Sequence, residues 1–320
     1  MKHKVSITLI LIGMFLITQF IGLFVVNAYT PQETTIINPQ TGEIETIITD
    51  GGLPFGLQTP QNEPTPNFLS IIFAFVLAFA VIFLLMKYKW KLVIRLWFFF
   101  VVALALGISI NAILGYTTIL NASIIALVIA IPLSLLKIFR PNVIVHNGTE
   151  LLIYPGIAAV FVPILTPLSA IILLILISLY DMWAVWKSGI MQQMAKFQME
   201  EIKVFGGFLI PSTSKKVKDK IQKIKTKYKN KKIPSKIKKQ KFKVNLAILG
   251  GGDVIFPIIT AGVFMRAFGL IPALFVTFGA LAGLIFLFTV TKKGKAYPAM
   301  PYISTGIFLG MILAKLILRI

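Results

Sequence analysis

Leu168–Trp186 reads LSAIILLILISLYDMWAVW, an apolar run in which the only charged side chain is Asp181. As a helix rising about 1.5 Å per residue it nearly covers the roughly 30 Å of bilayer hydrocarbon. A second stretch, Leu249-Gly250-Gly251-Gly252-Asp253, sets another aspartate inside the apolar run Val244–Phe264. The chain has 11 acidic residues. Glu33, Glu43, Glu45, Asp50 and Glu63 share one polar stretch, and Glu150, Glu200, Glu201 and Asp219 fall at segment edges or in a second polar loop. Asp181 and Asp253 alone are left within apolar segments. A carboxylate there costs about 2.5–3.5 kcal/mol on insertion scales, so two of them call for a functional reason.

The rest of the 320 residues agrees with a membrane setting: hydrophobic residues make up 57%, and the mean hydropathy is +0.87. The fold class is therefore an all-α polytopic membrane protein, read as one membrane-embedded domain over residues 1–320. A net charge of +21 could point to a nucleic-acid partner. Nearly half of the 32 basic residues, however, lie in one lysine run, 215–243, between membrane segments, where topology explains them better. There is no cysteine, which removes disulfides, thiol nucleophiles and cysteine metal sites.

Nine spans are expected. The first, about Val5–Tyr29, is read as a retained helix although Val26-Asn27-Ala28 resembles a cleavage site. Its apolar length exceeds the roughly 7–15 residues of a signal-peptide core. A polar stretch, about Thr30–Asn67, has five acids and no Lys or Arg, the content of an outside loop, with a short hairpin near Glu43–Thr49. Further spans follow at about Phe68–Met86, Leu92–Leu114, Thr118–Leu136 and Leu151–Leu165, the last short and holding Pro155 and Pro163. The sixth is about Leu168–Trp186. A basic loop over 187–243 has an amphipathic part (Met191–Ile202) and a run, Lys215–Lys243, with 15 lysines against Asp219. The last three are about Val244–Phe264, Leu270–Val290 and Pro298 to the C-terminus. Basic borders after the second, fourth, sixth and eighth spans put the N-terminus in the cytoplasm and the C-terminus outside.

Asp181 lies six residues before Lys187, about 9 Å from the inner border, and Asp253 ten after Lys243, about 15 Å in if helical throughout. That difference is comparable to tilt and boundary error, so antiparallel neighbours can bring both carboxyls to one depth. Two carboxyls meeting in a low-dielectric site share one proton. One then takes a proton from water while the other protonates an amide carbonyl, with no metal, cofactor or covalent intermediate. His3 and His146 are both expected outside the bilayer core, and no HExxH or GxSxG pattern is present. Gly250, Gly251 and Gly252 remove three side chains beside Asp253, allowing close approach and local unwinding.

Three motifs carry a resemblance. Tyr180-Asp181, followed by Ala184-Val185, resembles the YD motif of the presenilin and signal peptide peptidase family. Gly250-Gly251-Gly252-Asp253 matches its GxGD motif, and Pro298-Ala299-Met300-Pro301 is similar to its PAL motif, with methionine for leucine. Their order, on the sixth, seventh and ninth spans of a nine-helix layout, agrees as well. The resemblance implies an intramembrane aspartyl endopeptidase that cuts within transmembrane helices, with Asp181 and Asp253 as catalytic dyad. Tyr180, the three glycines, Pro298, Ala299 and Met300 are then expected around the substrate. The family's presenilin branch has a cytoplasmic N-terminus and its peptidase branch is inverted; the charge pattern here fits the former, so substrates should have their N-termini outside. The likeness is nearest to single-chain microbial homologues, and no partner subunit, metal or cofactor is implied.

Other readings attach to the same residues. Tyr180 either orients a carboxyl or joins Trp183 and Trp186 in an interfacial aromatic belt. The lysine run is read as a solvated loop, its second reading being a surface for anionic lipid headgroups. Asn147-Gly148-Thr149 forms a sequon on the expected inner side, where it would not be used. Intramembrane carboxylates and glycine-broken helices also serve proton-coupled transporters or channels, the alternative reading. That alternative favours an internal repeat, and none is visible.

Overall fold

The computed structural model describes residues 5–37, 44–49, 51–57, 73, 77, 80–81, 84, 88, 90–116, 121–140, 142–188, 205–212, 245–291 and 297–319. These form helices α1 (Val5–Ala28), α2 (Lys91–Gly115), α3 (Ala122–Phe139), α4 (Val143–Phe161), α5 (Pro167–Trp183), α6 (Gly251–Phe268), α7 (Leu270–Val290) and α8 (Met300–Leu318). A 3-10 turn, Val162–Ile164, extends α4, and a π turn, Ala184–Ser188, extends α5. All eight are long and apolar enough to cross a membrane. Of the span expected at about 68–86, Phe73, Leu77, Ala80, Val81 and Leu84 are helical, and the rest lies outside the described residues. The lysine run 215–243 and the amphipathic part 191–202 lie outside them too.

Two small antiparallel sheets accompany the helices. Strands β1 (Gln32–Ile37) and β2 (Ile44–Thr49) make the expected hairpin. Strands β3 (Gly207–Ser212) and β4 (Asn245–Gly250) correct two expectations: the basic segment contributes a strand, and the seventh span does not begin as helix at 244. Alternation explains β4, where Ala247 and Leu249 are buried while Leu246 and Ile248 are exposed. The glycines at 250–252 then mark the change from strand to helix.

Helix α4 corrects a third. It begins at Val143, not near Leu151, which places His146 and Glu150 inside a span and buried. Asn142 caps it by accepting from the Ile144 amide at 2.9 Å. Lys137 of α3, expected to mark a solvated border, is itself buried and pairs with Glu150 at 2.7 Å. Neutralised in this way, Glu150 no longer ends the helix.

Lipid tails are as apolar as leucine, so helix association rests on close packing of small residues. On α7, Gly279 and Gly283 face Gly306 and Gly310 of α8, a GxxxG pair on each side, with backbone against backbone: Gly279 meets Gly306, and Gly283 meets Tyr302 and Ile303. Gly156 of α4 likewise lies on the Ala105 backbone of α2. The main core is built from α1, α4, α5, α6, α7 and α8 with both strands of the second sheet, and α2, α3 and α4 form a satellite cluster. Helix α6 packs against α1, α4, α5, α7 and α8, so the element bearing Asp253 sits at the centre.

Candidate active site

Helix α5 starts with a capping box: the Thr166 hydroxyl accepts from the Ser169 amide, and the Ser169 hydroxyl accepts from the Thr166 amide, with Pro167 at the first helical position. Its buried residues, Ala170, Leu174, Ser178 and Asp181, recur at intervals of four, four and three, so Asp181 belongs to the stripe facing the bundle. Asp181 is 8% exposed, and its Oδ2 accepts the Met300 amide at 3.0 Å. The Ala299 amide also reaches this carboxyl. The segment read as a substrate contact thus holds Asp181 directly, through backbone donors that methionine supplies as well as leucine.

Asp253 occupies the third position of α6, whose N-cap is Gly250. Its carboxyl takes a hydrogen bond from the Gly250 backbone amide. This is half a capping box, in which the acid satisfies a free N–H at the helix start. The depth inferred from the sequence assumed helix from residue 244; β4 is extended there, at about 3.3 Å per residue, so that estimate does not hold. Even so, α6 packs against both α5 and α8, the helices that carry Asp181 and Met300.

The three glycines differ. A Cβ on Gly250 would stand 3.1 Å from Asp253 Oδ2, and one on Gly251 would stand 2.9 Å from the Tyr154 hydroxyl. Gly252 is exposed, and its nearest neighbour, Phe256, would be at an ordinary 3.5 Å. Pro298 is buried, and Ala299 is the N-cap of α8. Tyr180 is 45% exposed and its ring lies 6.2 Å from that of Trp183, as in an aromatic belt. Among the described residues no group of three His, Cys, Asp or Glu is arranged to hold a metal.

The sequence profile described as signal-peptide peptidase, presenilin aspartyl protease matches residues 52–320. The chain belongs to the signal-peptide peptidase and presenilin aspartyl protease family. Two solved structures of a presenilin family intramembrane aspartate protease, in C222 and P2 crystal forms, share the fold with a TM-score of 0.57 each. Each is 20% identical and covers 96% of this chain; the match spans 97% and 96% of theirs. No curated protein sequence matches the chain. Membership makes it an intramembrane aspartic protease, a hydrolase in a multi-pass membrane protein, and removes the ground for the transporter alternative.

Sequence reading missed several residues around this protease's two carboxyls. Ser178, one turn from Asp181, donates to Ser304, one turn from Met300, at 2.9 Å, so α5 and α8 are joined by two polar rungs. A polar residue three before the aspartate in an apolar run was the available signal. Ser178→Ala and Ser304→Ala are expected to show a coupling of about 0.6 kcal/mol in a double-mutant cycle of thermal melts. Additive losses would mean that the rung contributes nothing.

Gln19, which interrupts α1, is wholly buried and its Nε2 donates to the Val254 carbonyl at 3.0 Å, next to Asp253. Together with Gly22, which packs on Ile258, it ties α1 into the bundle. Pro257, one turn past Asp253, has no N–H, which leaves the Asp253 carbonyl without its helical donor and loosens this turn further.

Proposed function

We propose that Asp181 and Asp253 are the catalytic dyad of this protease and that it hydrolyses peptide bonds inside transmembrane helices. The observation that carries this is the meeting of three motifs from three helices: Asp181 of α5 accepts the Met300 amide of α8, and α6, which bears Asp253, packs against both helices. One carboxyl takes a proton from water, the oxygen adds to the amide carbon, and the other carboxyl protonates the carbonyl oxygen. The diol that forms collapses when a proton reaches the leaving nitrogen. No covalent enzyme intermediate is needed.

A helical amide is shielded by its own hydrogen bonds, so the substrate has to unwind before water can attack. Strand β4 ends at Gly250, and among the described residues it pairs only with β3. An unwound segment can hydrogen-bond along its other edge, as peptides do on exposed sheet edges. Gly252, exposed and free of close neighbours, gives that backbone room beside Asp253. Tyr180, Gly250, Gly251, Pro298, Ala299 and Met300 then shape or hold the surroundings.

The whole chain is read as one membrane-embedded catalytic domain with its N-terminus in the cytoplasm and its C-terminus outside, on the alternation of basic borders. Substrates accordingly enter with their N-termini outside, and the lysine run at 215–243 meets anionic headgroups. The test is cleavage of a reporter transmembrane helix by the purified chain in vesicles, with the reporter offered in both orientations. Cleavage confined to the N-terminus-outside orientation is expected. Equal cleavage of both would discard the orientation, and no cleavage of either would discard the proposed substrate class.

A further inference from the structure

Three polar residues at the start of α4, His146, Asn147 and Glu150, bond to β3. Lys137 Nζ donates to Glu150 Oε1 at 2.7 Å and lies 3.2 Å from His146 Nδ1. His146 Nε2 is 2.7 Å from the Gly207 carbonyl oxygen. A carbonyl only accepts, so Nε2 carries the hydrogen and Nδ1 is left to accept from the ammonium. The imidazole is therefore neutral, and the buried cluster holds one positive and one negative charge. Glu150 Oε1 also receives the Gly207 amide, at a longer 3.5 Å.

Asn147 grips the same strand. Its Nδ2 donates to the Leu209 carbonyl at 2.8 Å, and the Leu209 amide donates to its Oδ1 at 2.9 Å. This is the pair of bonds that a neighbouring strand would make, so one amide side chain occupies that edge of β3. The sequon asparagine is engaged in structure.

The gripped residues stand opposite the candidate site. In the β3–β4 register Gly207 faces Gly250 and Leu209 faces Ile248, and the Gly251 amide donates to the Gly206 carbonyl at 3.2 Å. Gly250 is the residue whose amide holds the Asp253 carboxyl. The first turn of α6 is weak: Gly251 and Gly252 are poor helix formers, and Gly250 as N-cap offers no side-chain oxygen, which leaves the Asp253 carboxyl as the turn's own cap. An outside bond to this turn comes from Gly206, just before β3, which accepts the Gly251 amide.

We propose that Asn147, His146 and the Lys137–Glu150 pair are positioning residues, which set the Asp253 carboxyl by fixing β3 and, through it, β4 and Gly250. The inference rests on the reading of Asp253 as a member of the dyad. It also makes α4 a determinant of where substrates are cut, because β4 is the edge along which they would align.

The experiment uses the full chain in vesicles with a reporter helix, and reads kcat, KM, cleavage positions by mass spectrometry, and thermal melts. Asn147→Ala removes both bonds to Leu209; Asn147→Asp keeps the acceptor and loses the donor. Lys137→Met with Glu150→Leu removes both charges together, which avoids stranding one in the core. Asn147→Ala and the double variant are expected to lower kcat by about 10-fold or more, as a small misplacement of a reacting group does, with KM little changed. Both should also redistribute the cleavage positions, and Asn147→Asp should fall between Asn147→Ala and wild type. Unchanged kcat and positions, or a loss that only tracks the folded fraction, would overturn the proposal. Asp253→Asn runs alongside: if it cleaves like wild type, the dyad reading fails and this inference fails with it. If it is inactive while Asn147→Ala matches wild type, the positioning role alone is lost.

Discussion

Asp181→Asn and Asp253→Asn are each expected to lower reporter cleavage by about 10⁴-fold, the upper range for loss of an acid–base group. Asparagine is chosen because it keeps the shape and an oxygen acceptor. At position 181 it can still receive the Met300 amide, and at 253 the Gly250 amide, so both variants should fold and melt close to wild type. What disappears is the shared proton. A single remaining carboxyl cannot take a proton from water and give one to the carbonyl in the same step. Removing either member should therefore cost about as much as removing both, the non-additivity of groups that act as a unit. Wild-type cleavage in either variant, measured beside an unchanged melt, would exclude the two-carboxyl mechanism.

Gly306→Val carries the next largest effect, although position 306 lies outside the three motifs. A Cβ there would collide with the Gly279 backbone, and Gly279 and Gly283 approach the α8 backbone just as closely in return. Neither side of the contact is a flexible side chain, so α7 and α8 have to separate. Overpacking of this kind typically costs about 1–3 kcal/mol or more. The displacement is transmitted along α8 to the Met300 amide and the Ser304 rung, both of which hold α5 at Asp181. A shift of about 1 Å at the reacting groups is enough for roughly 10²-fold in rate. Gly13→Val is the control, since nothing lies within 4 Å of a Cβ at that position. Equal activity and equal melts for the two valine variants would show that the α7–α8 contact does not set the site.

The motifs were legible because each is local. Tyr180-Asp181 and Gly250–Asp253 stand in apolar runs where every polar or helix-breaking residue is conspicuous, and Pro298–Met300 opens the last apolar run just after a basic border. Apolar run length gave the eight described spans, Leu270–Val290 to the residue, while the starts of α4 and α6 were misplaced. Strand β3 escaped because its six residues follow no strong alternation and its partner lies 33 or more positions further along the chain. The start of α4 escaped because Glu150 and His146 read as border residues until Lys137 of another helix is placed beside them.

The sequence by itself determined that this is a membrane-spanning chain with two carboxyls in its apolar segments, since transfer free energy depends on residue type and run length alone. It also determined the family, because the three motifs occur in order. Only the tertiary structure decided that the Met300 amide holds Asp181, that Asp253 lies in the first turn of a helix that follows a strand, and that a buried Lys–Glu–His cluster with Asn147 bonds β3, the partner of that strand. Those features depend on pairing between distant segments, and a hydrogen bond or a buried charge is stabilised only once its partner has arrived.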